Sequence, residues 1–129
     1  MDTLSLNRSW KFRLDPENVG LSEAWHTNTQ ALETGSIDIN VPSCWEELEQ
    51  DYEGVAWYST QVEIDADKAG QICRIVFQAS NYRTGIWING KAAGSHDGGY
   101  TPFDFEIQDF LNYGASNQIT LRIVSPIIT

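Results

Sequence analysis

Cysteine is scarce in this chain. The two present, Cys44 and Cys73, have neither CxxC spacing nor histidines placed as in a zinc site, so a thiolate metal centre is set aside. Cys73 falls in phase with Ile75 and Phe77 and reads as a small buried thiol, while nothing in the spacing supports a Cys44 to Cys73 disulfide. Positive charge is also short. Eight Lys and Arg stand against eighteen Asp and Glu, giving a net charge of -10 and a pI of about 4.4, so nucleic acid and anionic membrane surfaces are repelled. The two histidines, His26 and His96, have no acid or nucleophile arranged beside them and read as surface or core residues. No apolar run reaches the length of a membrane span, and the first residues lack the positive region and apolar stretch of a signal peptide. The cellular address stays open. Only four prolines occur, and no stretch is of low complexity. With no phosphate loop, metal set or nucleophile arrangement visible, no cofactor, metal or catalytic residue is expected within these residues.

The chain is rich in aromatics. Trp, Tyr and Phe occur five times each in 129 residues, enough bulky apolar material for one domain with a sizeable core. Ile86 and Ile88 alternate with Trp87, and Asn89-Gly90 follows at once. A type I′ turn needs positive φ at both central residues, so this pair predicts a hairpin into a strand from Lys91 to His96. Asp97-Gly98-Gly99 and Pro102 mark the next reversal, after which Phe103, Phe105 and Ile107 alternate with polar residues.

The same two-residue period predicts strands elsewhere. Trp10, Phe12 and Leu14 alternate before Asp15-Pro16-Glu17-Asn18, and Ile37, Ile39 and Val41 before Pro42. Trp57 to Ile64, Ile72 to Gln78 and Ile119 to Ile123 follow the same pattern, and Asp109 suits a cap before Phe110 and Leu111. Between Val19 and Ser36 the period fails. Leu21, Ala24 and Trp25 line one face of a single turn with Ser22 as cap, but nothing continues it, and the segment reads as loop. About eight short strands without a long helix predict an all-β sandwich or barrel.

Four loop residues are candidates for ligand or interdomain contact. Trp45, Tyr52 and Tyr100 offer aromatic faces that suit stacking on a pyranose ring, sealing the end of a sandwich, or packing on another domain. Packing is favoured for Trp45. Asp97 lies in a turn where its carboxylate suits a sugar hydroxyl, although an Asp capping its own turn is the commoner case. The acidic run Glu46, Glu47, Glu49, Asp51 and Glu53 reads as a solvated loop and not as a metal site. Trp10, Trp57 and Trp87 fall in strands and are expected to be structural.

Five motifs in a fixed order carry a resemblance: Trp10-Lys11-Phe12-Arg13, Val41-Pro42-Ser43-Cys44-Trp45, Gly54-Val55-Ala56-Trp57-Tyr58, Ile86-Trp87-Ile88-Asn89-Gly90, and His96-Asp97-Gly98-Gly99-Tyr100-Thr101-Pro102-Phe103. Together they resemble the N-terminal sugar-binding domain of glycoside hydrolase family 2, the family of β-galactosidases, β-glucuronidases and β-mannosidases. The resemblance implies a jelly-roll β-sandwich of the galactose-binding-like type over residues 1–129, set before an immunoglobulin-like domain and a catalytic TIM barrel. It implies retaining glycoside hydrolysis by two glutamates of that barrel, neither of which maps onto this chain. Such a barrel needs roughly 250 residues.

Family members continue past the strand matching Ile119 to Val124 through a long loop into a further strand. The expectation is therefore a piece of a multidomain glycosidase without a closing strand, whose open sheet edge invites a homodimer. Three functions follow: a non-catalytic domain that positions and walls the barrel, a freestanding carbohydrate-binding module, or an assembly module that touches no sugar. The first has the motif order behind it. Carbohydrate is the candidate small-molecule partner, and which sugar is left open.

Overall fold

A computed structural model describes residues 9–40, 54–77, 83–97 and 103–125. Within them the chain forms β1 (Ser9–Asp15), α1 (Thr29–Thr34), β2 (Ile37–Asn40), β3 (Gly54–Ile64), β4 (Arg74–Phe77), β5 (Arg83–Ile88), β6 (Lys91–His96), β7 (Phe103–Glu106) and β8 (Ala115–Ser125). The strands build an antiparallel sheet in the order β2-β1-β3-β8-β5-β6 and a second pair, β4-β7. The result is an all-β sandwich.

Alternation decides which side chains meet between the layers. Trp10 and Phe12 of β1, Tyr58 and Val62 of β3, Ile86 and Ile88 of β5, and Ile119, Leu121 and Ile123 of β8 share one buried cluster with Ile75 of β4. Phe105 of β7 packs on its margin, as do Phe110 and the free thiol-bearing Cys73, while Ile107 and Leu111 lie within it. The rings of Phe12 and Tyr58 lie 4.9 Å apart. Burying each such side chain stabilises the fold by about 1.5–3 kcal/mol. Cys44 lies outside the described residues.

The predicted hairpin turn is present. Asn89 has φ 53° and Gly90 φ 81°, and Ile88 pairs with Lys91 across them. Asn89 does more than tolerate the left-handed backbone. Its side chain donates to the Phe110 carbonyl and to Asn117 Oδ1, both at 2.9 Å, and accepts from the Gln118 amide at 3.0 Å. Asn117, fully buried, in turn accepts from the Asn112 amide at 2.7 Å and donates to the Asn112 and Ala115 carbonyls. Hydrogen bonding of every arm is what permits an amide at zero exposure.

Several strand boundaries differ from the sequence expectation. β3 begins at Gly54 and β8 spans Ala115–Ser125, because the two pair over their full lengths. β4 is shorter than expected, and Ile72 is left 66% exposed. Leu14 is 41% exposed although it keeps the β1 period, whereas Asp15 beside it is buried. Asp109 is not a cap: the 3-10 turn Gln108–Phe110 is preceded by Ile107 and has no side-chain cap bond.

The largest correction concerns the segment taken as loop. After a run of turns it forms α1, whose first turn is capped by Asn28 Oδ1 accepting from the Ala31 amide at 3.4 Å. Six residues are under two helical turns, too short for an apolar period to register. This segment covers the outer face of the large sheet. Trp25 and Leu32 pack there against Val55 and Trp57, with Trp87 and Val124 at the margin. Hence every residue from Val55 to Thr60 is buried, and β3 lacks a solvent face over that half.

Candidate functional site

Asp97 follows β6 and faces Arg83 at the start of β5, the two open ends of the hairpin. Arg83 Nε donates to Asp97 Oδ1 at 2.8 Å, with both side chains more than half exposed. Among the described residues its partner is a cross-strand guanidinium, and the turn that follows it lies outside them. A pair this exposed contributes between zero and about 1 kcal/mol. Trp45, Tyr52, Tyr100 and the acidic run lie outside the described residues.

In the same row of the sheet as Arg83, with β3 and β8 between them, β1 carries a buried carboxylate on the outer face. Asp15 Oδ2 accepts from the Trp57 indole at 3.0 Å and the Gly20 amide at 2.9 Å, while Oδ1 accepts from the Val19 amide at 2.8 Å. Both oxygens are therefore committed to holding the covering segment on the sheet. Gly20 sits so near Trp57 that a Cβ there would lie 2.5 Å from the indole nitrogen. Arg13 adds a second tie, donating to the Ala31 carbonyl at 2.6 Å while its guanidinium lies 4.0 Å over the Trp25 ring. Arg122 supplies a third through Asn18 Oδ1 at 2.8 Å. Burial lowers the pKa of Arg122, opposed by Asp15 and reinforced by Arg83.

These ties cover a line of rings. Trp25 meets Trp57 edge-on at 5.8 Å, Trp57 stacks on Trp87 at 5.4 Å, and His26 lies 5.3 Å from Trp87. Trp57 has no exposed surface, so it offers no platform to a sugar. Its structural role, and that of Trp10 in the inner core, matches the sequence reading.

The other half of the same face is polar and open. A recess of about 210 Å³ lies between β1, β3 and β8, lined by Lys11, Ser59, Gln61 and Gln118 with Glu33 from α1 and Asp38 from β2. Lys11 Nζ sits 2.6 Å from Asp38 Oδ1, and this hydrogen bond, ahead of charge attraction, raises the lysine pKa. A chain of side-chain hydrogen bonds leads into the recess from Ser116, which lies outside its lining. Ser116 donates to Gln61 Oε1 at 3.3 Å, Gln61 donates to Gln118 Oε1 at 3.2 Å, and Gln118 Nε2 donates to Ser59 Oγ. Sequence reasoning placed Ser59 and Gln61 on the polar side of β3 but not beside Gln118, since cross-strand register is not encoded in the period of either strand. Among the described residues no group of three His, Cys, Asp or Glu is placed to hold a metal ion, and no helix is long and apolar enough to cross a membrane.

Comparison with known proteins covers nearly the whole chain. Residues 3–126 match the profile described as glycosyl hydrolases family 2, sugar binding domain. A β-glucuronidase of Paenibacillus borealis is 28% identical over 123 residues, taking in 92% of this chain and 20% of that protein. A β-galactosidase of Thermoanaerobacter pseudethanolicus is 30% identical over 121 residues, with 93% of this chain and 15% of the relative covered. The structure of the Ruminococcus gnavus β-glucuronidase in complex with D-glucuronic acid superposes with a TM-score of 0.85 at 28% identity, over 95% of this chain and 21% of that one. The chain thus spans between 15% and 21% of the length of these relatives. With the profile matched almost end to end and the sandwich shared, the chain belongs to the sugar-binding domain family of the family 2 glycosyl hydrolases.

Proposed function

We propose that this chain serves as the non-catalytic N-terminal domain of a family 2 β-glycosidase, positioning and walling a catalytic barrel that hydrolyses O-glycosyl bonds. The observation that carries this reading is the match over residues 3–126 combined with coverage of only a fifth of each glucuronidase. The partners would be the barrel and an immunoglobulin-like domain of the same polypeptide. Residues 1–129 form one sandwich domain of that larger chain. Asp97, together with Trp45, Tyr52 and Tyr100 outside the described residues, would supply the contact to carbohydrate or to a neighbouring domain.

The test compares the 129-residue chain with a full-length glycosidase carrying it, on 4-nitrophenyl β-glucuronide and β-galactoside. Turnover is expected only from the full-length protein, and Asp97→Ala there is expected to raise KM more than it lowers kcat. Turnover by the 129 residues alone overturns the reading.

A second contact is supported by the large sheet, in which β2 and β6 each have one strand neighbour among the described residues. An edge of this kind pairs readily with another strand, and a homodimer joined there is the corresponding assembly. Sedimentation velocity decides it: a concentration-dependent shift to twice the mass is expected, and a single monomer species at all concentrations rejects it.

A further inference from the structure

We propose that the polar recess between β1, β3 and β8 binds a neutral pyranoside through its vicinal hydroxyls, a site separate from the Asp97 end of the domain. From Val124, which pairs with Arg83, to Gln118 along β8 is about 20 Å at the rise of a strand. The inference goes beyond the barrel-walling reading and does not depend on it.

Three properties of the recess select this ligand class. The first is size. At about 210 Å³ the recess is smaller than the roughly 300–1,000 Å³ of sites for drug-sized ligands, which suits a single small ring.

The second is the pairing of donors with acceptors. A sugar hydroxyl both donates and accepts, so a wall that supplies one kind of group alone satisfies half of it. Here the chain from Ser116 through Gln61 and Gln118 ends on Ser59 Oγ as acceptor, so the Ser59 hydroxyl keeps its own proton to donate. Ser59 is 1% exposed and lines the recess, so its hydroxyl is a buried donor at the recess wall. Lys11 contributes further N–H groups, and Asp38 and Glu33 contribute carboxylate oxygens on the facing rim.

The third property is charge. Two carboxylates stand against one ammonium, so a uronate carboxylate is disfavoured and a neutral ring is preferred. Trp10, the one aromatic residue among the described lining, is 4% exposed, so affinity rests chiefly on hydrogen bonds, in the millimolar range.

The experiment is a titration of the 15N-labelled 129-residue chain with methyl β-glucopyranoside, methyl β-galactopyranoside and methyl β-glucuronide, each to about 100 mM. Saturating amide shifts are expected at Lys11, Ser59, Gln61 and Gln118 with the neutral glycosides, and smaller ones with the glucuronide. Ser59→Ala should weaken binding by about threefold to tenfold. Gln61→Ala, at an exposed side chain, should weaken it similarly and gives a second variant with little risk to the fold, which spectral dispersion reports for both. Absence of shifts at these four amides, shifts confined to Asp97 and its neighbours, or tighter binding of the glucuronide overturns the proposal. So does protection of the same amides by the rest of a full-length glycosidase without any response to sugar, which would reassign the recess to a domain contact.

Discussion

Asp15 and Trp57 are 42 residues apart in sequence and 3.0 Å apart in the fold, carboxylate to indole, with both side chains buried. Around this pair the outer layer is assembled. Removing the carboxylate leaves the Trp57 indole and two backbone amides without acceptors, and each orphaned donor costs about 1–3 kcal/mol. Asp15→Ala is expected to destabilise the chain by about 3 kcal/mol or more, read as a lower urea midpoint. A midpoint within about 0.5 kcal/mol of the parent value would show that the covering segment is held by other means.

Gly20 provides an independent probe of the same layer. Its missing Cβ is what lets the backbone approach the Trp57 ring, and the ring cannot move because Trp25 and Trp87 flank it. Gly20→Ala should cost about 1–3 kcal/mol and change the near-ultraviolet circular dichroism of the stacked tryptophans. Unchanged tryptophan signals would mean that the segment shifts as a unit to make room.

At the other end of the hairpin, Arg83 and Asp97 are expected to couple weakly. A double-mutant cycle of Arg83→Ala and Asp97→Ala should give an interaction below about 1 kcal/mol in stability. The low value is useful. Any larger effect of Asp97→Ala on KM in a full-length glycosidase then reports a contact made by that side chain, and not damage to this domain.

Alkaline pH should weaken the fold in a traceable way. The Lys11 pKa is raised by its hydrogen bond to Asp38, and the Tyr113 pKa is raised chiefly by burial and then by Cys73. In both cases the folded state holds the proton more tightly than the unfolded state. The associated stability is fully present below the unfolded values near pH 10 and is lost as pH rises through the higher folded values. Urea midpoints should therefore fall above about pH 10, less steeply in Lys11→Met and in Tyr113→Phe. An identical slope in both variants would assign the loss to other groups.

What the sequence reveals follows from the range over which each signal acts. The Asn89-Gly90 hairpin and the alternation of Trp10 and Phe12 are local, and both appear where expected. The family resemblance, carried by five short motifs in order, is supported over residues 3–126. Asp15 reads as a turn residue because it precedes Pro16, and nothing within its own strand announces an indole donor from β3. α1 is too short to show a period, although Asn28 is an ordinary capping residue. Leu32 on that helix is fully buried, which only the covering of the outer face explains. Of the four candidate contact residues, Asp97 alone falls within the described structure, and its role was open in sequence because Arg83 belongs to a different strand. The recess was illegible for the same reason: Gln61 and Gln118, 57 residues apart, meet only through sheet register.

The position of β8 has a consequence for synthesis on the ribosome. In the large sheet this strand lies between β3 and β5, so the strands of that sheet made before it belong to two separate half-sheets, β2-β1-β3 and β5-β6. Until residues 115–125 emerge, each half exposes the long edge that β8 will later fill, and β3 exposes eleven residues of it. The nascent chain is therefore most vulnerable to pairing with a neighbour just before its last described strand appears. Insertion of that single strand joins the halves and removes both edges together.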